Sequence, residues 1–217
     1  LEYVNGTFIL NEPIRLEDNA TLIIQNAVVC FNFSSRTIIQ AYDNSTIIME
    51  GTKLFHLLGY SYMYLYGNST ALIIDSRLLS VYTYFQDSTE ASIVDSILTY
   101  SAYLYGSGSV SIMNSQLDGV GCYYSSRVFL QESLVGWLGV YDKSAASVVG
   151  SRIAYTVYLE FEQDSEAHLW ALPTGQVAWR LYENNDVIKA YIDLNITEST
   201  VSEWQIEVSG TSKVSIE

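Results

Sequence analysis

Asn68-Ser-Thr-Ala-Leu-Ile-Ile-Asp-Ser76 is followed by Asp87-Ser-Thr-Glu-Ala-Ser-Ile-Val-Asp-Ser96 and then by Gly106-Ser-Gly-Ser-Val-Ser-Ile-Met-Asn-Ser115. Each copy reads as a turn residue, a hydroxyl residue, an alternating apolar run and a small polar pair. Earlier copies open at Asn19 and Asn44, and later ones near Ser125, Asp142 and Asp164. The closing pair keeps the register: Gly51-Thr52, Asp75-Ser76, Asp95-Ser96, Asn114-Ser115, Glu132-Ser133 and Gly150-Ser151, in steps of 24, 20, 19, 18 and 18 residues. A period near 20 that drifts suits stacked coils whose turns vary in length while their strands stay aligned.

Inside each copy the apolar residues alternate, as in Ala91 and Ile93 or Val110 and Ile112, which is the period of a strand. A second strand per coil is rich in tyrosine: Tyr60 to Tyr66, Val81 to Phe85, Tyr100 to Tyr105, then Cys122-Tyr-Tyr124, Val140-Tyr141 and Tyr155 to Leu159. Met63 and Leu65 alternate with Tyr62, Tyr64 and Tyr66, so the tyrosines are expected to point outward and form an aromatic wall. Only Pro13 and Pro173 could interrupt a ladder. Short strands repeating in one direction stack in parallel, and parallel crossovers are almost always right-handed. The expected fold is therefore all-β: a right-handed parallel β-helix of about nine or ten coils in one domain. Residues 1–18 form the first coil, 19–166 the regular repeats and 167–217 less regular final coils.

The chain carries 10 basic and 24 acidic residues, a net charge of −14. Nucleic acid and anionic membrane surfaces need clustered Lys and Arg, and these are scattered, so both are excluded as partners. No run of 18 apolar residues exists, so no membrane-inserted helix is expected. Leu1-Glu2-Tyr3-Val4 is already strand-like, which reads as a mature chain freed of a signal peptide. Six of eleven asparagines stand in Asn-x-Ser/Thr sequons: Asn5, Asn19, Asn32, Asn44, Asn68 and Asn195. These are expected glycosylation sites and point to an extracellular, cell-surface location. Cys30 and Cys122 are too few for a disulfide scaffold and, about four coils apart, are expected to remain free thiols.

Little in the chain reads as catalytic. Asp75 and Asp95 could stand one coil apart as an acid–base pair, but they hold the turn position of every repeat, where Asp and Asn satisfy local backbone groups. His56 and His168 lack metal-ligand spacing to either cysteine. No catalytic residue and no resident cofactor is assigned. Glu160, Glu162, Asp164 and Glu166 alternate on one strand face, and four carboxylates in a row would accept calcium.

The Asn/Asp-Ser-Thr, Ala-x-Ile, Asp-Ser-x-Leu phrasing over residues 19 to 166 resembles β-helix repeats of secreted and archaeal cell-surface proteins. That resemblance implies a sheath, surface-layer or filament subunit rather than an enzyme. The ends agree with it: Leu1 to Leu10 and Ser212 to Glu217 read as strands without a polar cap. The expected partner is the protein itself, end to end through Val4, Phe8, Leu10, Val214 and Ile216, and laterally through Tyr62, Tyr64, Tyr84 and Tyr105. The alternative is a secreted carbohydrate-binding or polysaccharide-degrading β-helix whose tyrosines form a platform for cell-surface glycans.

Overall fold

The computed structural model describes residues 1–141 and 144–161 and, as backbone, the later strands 166–170, 176–181, 193–197, 200–208 and 213–216; side chains are described up to Tyr158, apart from Thr156. The described chain is a parallel β-solenoid of about eight turns, and every strand pairing in it is parallel. Each coil presents three sheet faces. Face A carries the repeat phrase, in strands such as Thr70–Ile74, Glu90–Val94 and Ser109–Met113. Face B is short, as in Arg77–Leu79 and Ile97–Leu98. Face C carries the tyrosines, as in Ser61–Leu65 and Val81–Phe85.

The coil count is lower than nine or ten because the first coils are longer than 20 residues. Leu22 aligns with Ile47 and Ile47 with Ala71, steps of 25 and 24 residues. Later steps shrink to 18, as from Val110 to Val128. The loss occurs at the corner between faces B and C. Four residues, Leu57 to Tyr60, turn it in one coil, Ser80 alone turns it in the next, and Gln116–Cys122 later runs through it as one strand. Beyond Phe161 the strands stay parallel but leave chain order. Ala145–Val149 pairs with Asp193–Thr197, that strand with Glu166–Trp170, and Glu166–Trp170 with Lys213–Ile216.

The corner between faces A and B explains the polar pair. Asn26, Gly51, Asp75, Asp95, Asn114, Glu132 and Gly150 all adopt left-handed φ, between 44° and 57°. Asn, Asp and Gly tolerate that conformation at least cost. From Thr52 to Ser151 the next residue points inward and builds a buried hydroxyl ladder, whereas Ala27 follows Asn26. The N–H groups of Thr52, Ser76, Ser96, Ser115 and Ser133 each donate to the hydroxyl one coil on, at 3.0–3.1 Å. The Ser76, Ser96, Ser115 and Ser133 hydroxyls donate in turn to the carbonyl two residues back, at 2.7–2.8 Å. A backbone N–H that must turn a corner inside the core is thus paired in these five coils, where leaving it bare would cost about 1–3 kcal/mol.

The core is a set of inward columns. Met49, Ile73, Ile93, Ile112, Leu130 and Val148 stack on face A with no exposed surface. The expected inward column of Ile73, Ile93 and Ile112 is therefore present. Met63, Leu65, Phe85, Leu104 and Cys122 line the inside of face C. Each full-size aliphatic side chain buried this way contributes about 1.5–3 kcal/mol.

Candidate functional site

Face C carries the aromatic wall anticipated from the sequence. Its outward column aligns Tyr62 with Tyr82, and Tyr64 with Tyr84 and Tyr103. The rings follow the backbone register: Tyr64 and Tyr84 are stacked at 4.9 Å, Tyr84 and Tyr103 at 5.2 Å. A second ladder runs along the corner towards face A. Tyr42 stacks on Tyr66 at 4.8 Å, Tyr105 on Tyr123 at 4.6 Å and Tyr123 on Tyr141 at 4.4 Å. Arg15 covers the ring of Tyr42 at 4.9 Å. Parallel rings one coil apart cover one another's faces and leave the ladder tyrosines half-buried.

Glycine continues the wall where tyrosine stops. Gly121 and Gly139 follow Tyr103 in the same column, and Gly119 aligns with Trp137. The indole of Trp137 lies over Gly119 so closely that a Cβ there would meet it at 2.1 Å. A large aromatic laid across backbone that lacks side chains keeps this part of the sheet covered. Trp137 is the residue the tyrosine pattern did not reveal, since its partner is a glycine rather than another aromatic.

Burial raises the hydroxyl pKa of Tyr3, Tyr64, Tyr66, Tyr82, Tyr84, Tyr105 and Tyr123 above the ordinary value of 10. Neighbouring phenols add to the rise at Tyr66, Tyr82, Tyr84, Tyr105 and Tyr123. Burial likewise raises both thiols, and both cysteines are free and buried. Cys122 faces the core, whereas Cys30 lies on the outward side of face B and is covered there.

The N-terminal coil exposes its interior. Tyr3, Phe8 and Leu10 align with the fully buried Ile24, Val29 and Phe31, so they point inward, yet each is only half-buried. Among the described residues Glu2–Leu10 and Ile14–Leu16 each pair on one side only. Val4 and Ile9 point outward and are 40% and 63% exposed. At the other end Lys213–Ile216, which holds Val214 and Ile216, also pairs on one side among the described strands.

Face A holds a groove of about 640 Å³ running along the rod. Its outward column reads Leu72, Ser92, Ser111, Phe129 and Ser147 on successive coils. The two serines make a dip between the exposed Leu72 and Phe129. Glu90 and Arg127 flank it, also exposed. Nothing in the sequence singles out these serines; the groove emerges when the coils are stacked.

The other sequence candidates separate. Asp75 and Asp95 sit at corners, and Asp95 accepts a hydrogen bond from the Asn114 amide at 2.5 Å. Asn5, Asn19, Asn32, Asn44 and Asn68 are all exposed. Asn44 and Asn68 occupy the same turn on successive coils, linked amide to amide at 3.4 Å. Asn195 lies on a strand whose side chains are outside the described residues, as do the side chains of Glu160, Glu162, Asp164 and Glu166. Among the described residues no cluster of His, Cys, Asp or Glu could hold a metal, and no helix is long and apolar enough to cross a membrane. No protein-family model, no curated protein and no solved structure matches this chain.

Proposed function

We propose that this β-solenoid is a structural subunit of an extracellular assembly, a sheath, surface layer or filament, that grows by stacking coil upon coil. The observation that carries the reading is the uniform parallel ladder, which presents the same backbone edge at every described coil; at Glu2–Leu10 that edge pairs on one side among the described residues, and the inward Tyr3, Phe8 and Leu10 are half-buried. An edge of this kind is a template for another strand layer. Lys213–Ile216, which pairs on one side among the described strands, is the edge that would receive it. A contact between unlike ends is heterologous and propagates into a ring or fibre. Five exposed sequons and a net charge of −14 suit an external, hydrated setting. The stacked tyrosines favour this role over a sugar platform, because sugars pack on ring faces and here those faces are taken up by neighbouring rings.

The test uses the chain 1–217 and the variant Phe8→Glu, which places a charge over the open core. The wild type is expected to form rods several solenoids long, seen by sedimentation and negative-stain microscopy. Phe8→Glu is expected to keep its β-sheet circular dichroism and to stay monomeric, because desolvating a carboxylate against an apolar coil is unfavourable. A wild type that remains monomeric at high concentration would overturn the proposal. A coil supplied by a longer form of the same polypeptide would satisfy the same edge, and the intact mass of native protein separates that case.

A further inference from the structure

We propose that the groove on face A is a two-fold docking surface for a second copy of this chain, lying antiparallel to the first. The order of outward residues along the rod points to it. One column reads Leu72, Ser92, Ser111, Phe129, Ser147, and beside it another reads Thr70, Glu90, Ser109, Arg127, Ala145. A two-fold axis laid along the strand Ser109–Met113 reverses the coil order and leaves each column facing itself. Under that operation Leu72 faces Ser147 and Phe129 faces Ser92 of the second copy. Each protruding apolar residue meets a serine dip, and Ser111 meets its own counterpart on the axis. In the neighbouring column Glu90 faces Arg127 of the second copy, and Arg127 faces its Glu90. Both charges are exposed and neither forms an ion pair among the described residues.

Shape and charge are therefore self-complementary about the same axis, as an isologous contact requires. The five strands carry one acidic and one basic outward side chain, so this patch is neutral on a chain of charge −14. Two such copies can bring these five strands together with little repulsion, the acidic Glu50 and Asp193 standing on the flanking strands at the margins. Five rows of five residues cover about 400 Å² per copy from standard strand dimensions. The flanking strands Thr46–Glu50 and Asp193–Thr197 extend the face to about 1,100 Å² in total, at the low end of specific interfaces. The expected product is a weak, concentration-dependent dimer. This inference does not rest on end stacking, and it adds a lateral, polarity-reversing contact to it.

Sedimentation equilibrium from about 1 μM to about 1 mM tests it. The protein is made without glycans, because the Asn195 sequon lies on a flanking strand, and carries Phe8→Glu to silence end contacts. Glu90→Arg alone and Arg127→Glu alone each turn two attractive pairs into repulsive ones and should weaken the dimer at least about tenfold. The double variant, and an equimolar mixture of the two single variants, should both regain the parent affinity, since each restores every Glu–Arg pairing. Ser111→Trp fills the dip on the axis and should leave monomers with unchanged β-sheet signal. A parent that stays monomeric at about 1 mM overturns the inference. So do single variants that dimerise as the parent does, a mixture that fails to recover, or a Ser111→Trp protein that still pairs.

Discussion

Raising the pH above 10 is expected to unfold the rod cooperatively, with tyrosinate absorbance and loss of β-sheet circular dichroism appearing together. Seven tyrosines have hydroxyl pKa values raised by burial, most of them in the two stacked ladders. In the unfolded chain the same phenols titrate near 10. Above that pH the unfolded state holds fewer protons than the folded one, so stability falls as pH rises. Below pH 10 their contribution is fully present, and it is lost progressively as pH climbs through the raised folded-state values. The ladder sharpens the effect, because a phenolate at Tyr84 would face Tyr64 and Tyr103, and one at Tyr123 would face Tyr105 and Tyr141. Spectrophotometric titration alongside circular dichroism checks this. If all eighteen tyrosines ionise near 10 while the sheet signal persists, the stacked wall is not formed in solution.

The substitution Ile93→Asn is expected to cost about 4 kcal/mol or more, and Ser92→Asn next to it less than about 0.5 kcal/mol. Ile93 has no exposed surface and packs between Ile73 and Ile112 in the inward column. An asparagine there leaves a cavity and a buried amide without partners. Ser92 points to the outside of the same strand. Solenoid coils touch only their neighbours, so damage at a central coil separates the rod into two short stacks. Urea unfolding with a reduced m-value, or proteolysis near residue 93, is the expected signature. Equal effects at the two positions would mean that the inside and outside of this strand are misassigned.

The architecture was legible because two periods coincide. The closing pair, an Asp, Asn, Glu or Gly followed by Ser or Thr, recurs every 18 to 24 residues where each corner needs left-handed φ, and the alternation of residues such as Ala91 and Ile93 marks the inward side. Three things were not legible. Face B escaped notice because a strand of two residues, Ile97–Leu98, carries no period of its own. The hydroxyl ladder from Thr52 to Ser151 read only as turn chemistry, since its bonds join residues 18 to 24 apart. The antiparallel match on face A depends on order across five coils rather than on any local motif. Single residues such as Ser92, Glu90 and Arg127 are unremarkable in sequence and gain meaning only when stacked. The tyrosine wall stood between these cases. Its outward side followed from alternation with Met63 and Leu65, but its ring-on-ring stacking, which turns the faces away from solvent, required the parallel register.

Fibre diffraction or cryo-electron microscopy of native assemblies decides whether this protein builds by adding coil to coil. The account predicts elongated particles with a continuous repeat of about 4.8 Å along the long axis, unbroken at the junction between the Glu2–Leu10 coil of one molecule and the last coil of the next. Discrete monomers with both terminal coils covered by their own chain would contradict it, as would assemblies whose strand repeat runs across the long axis.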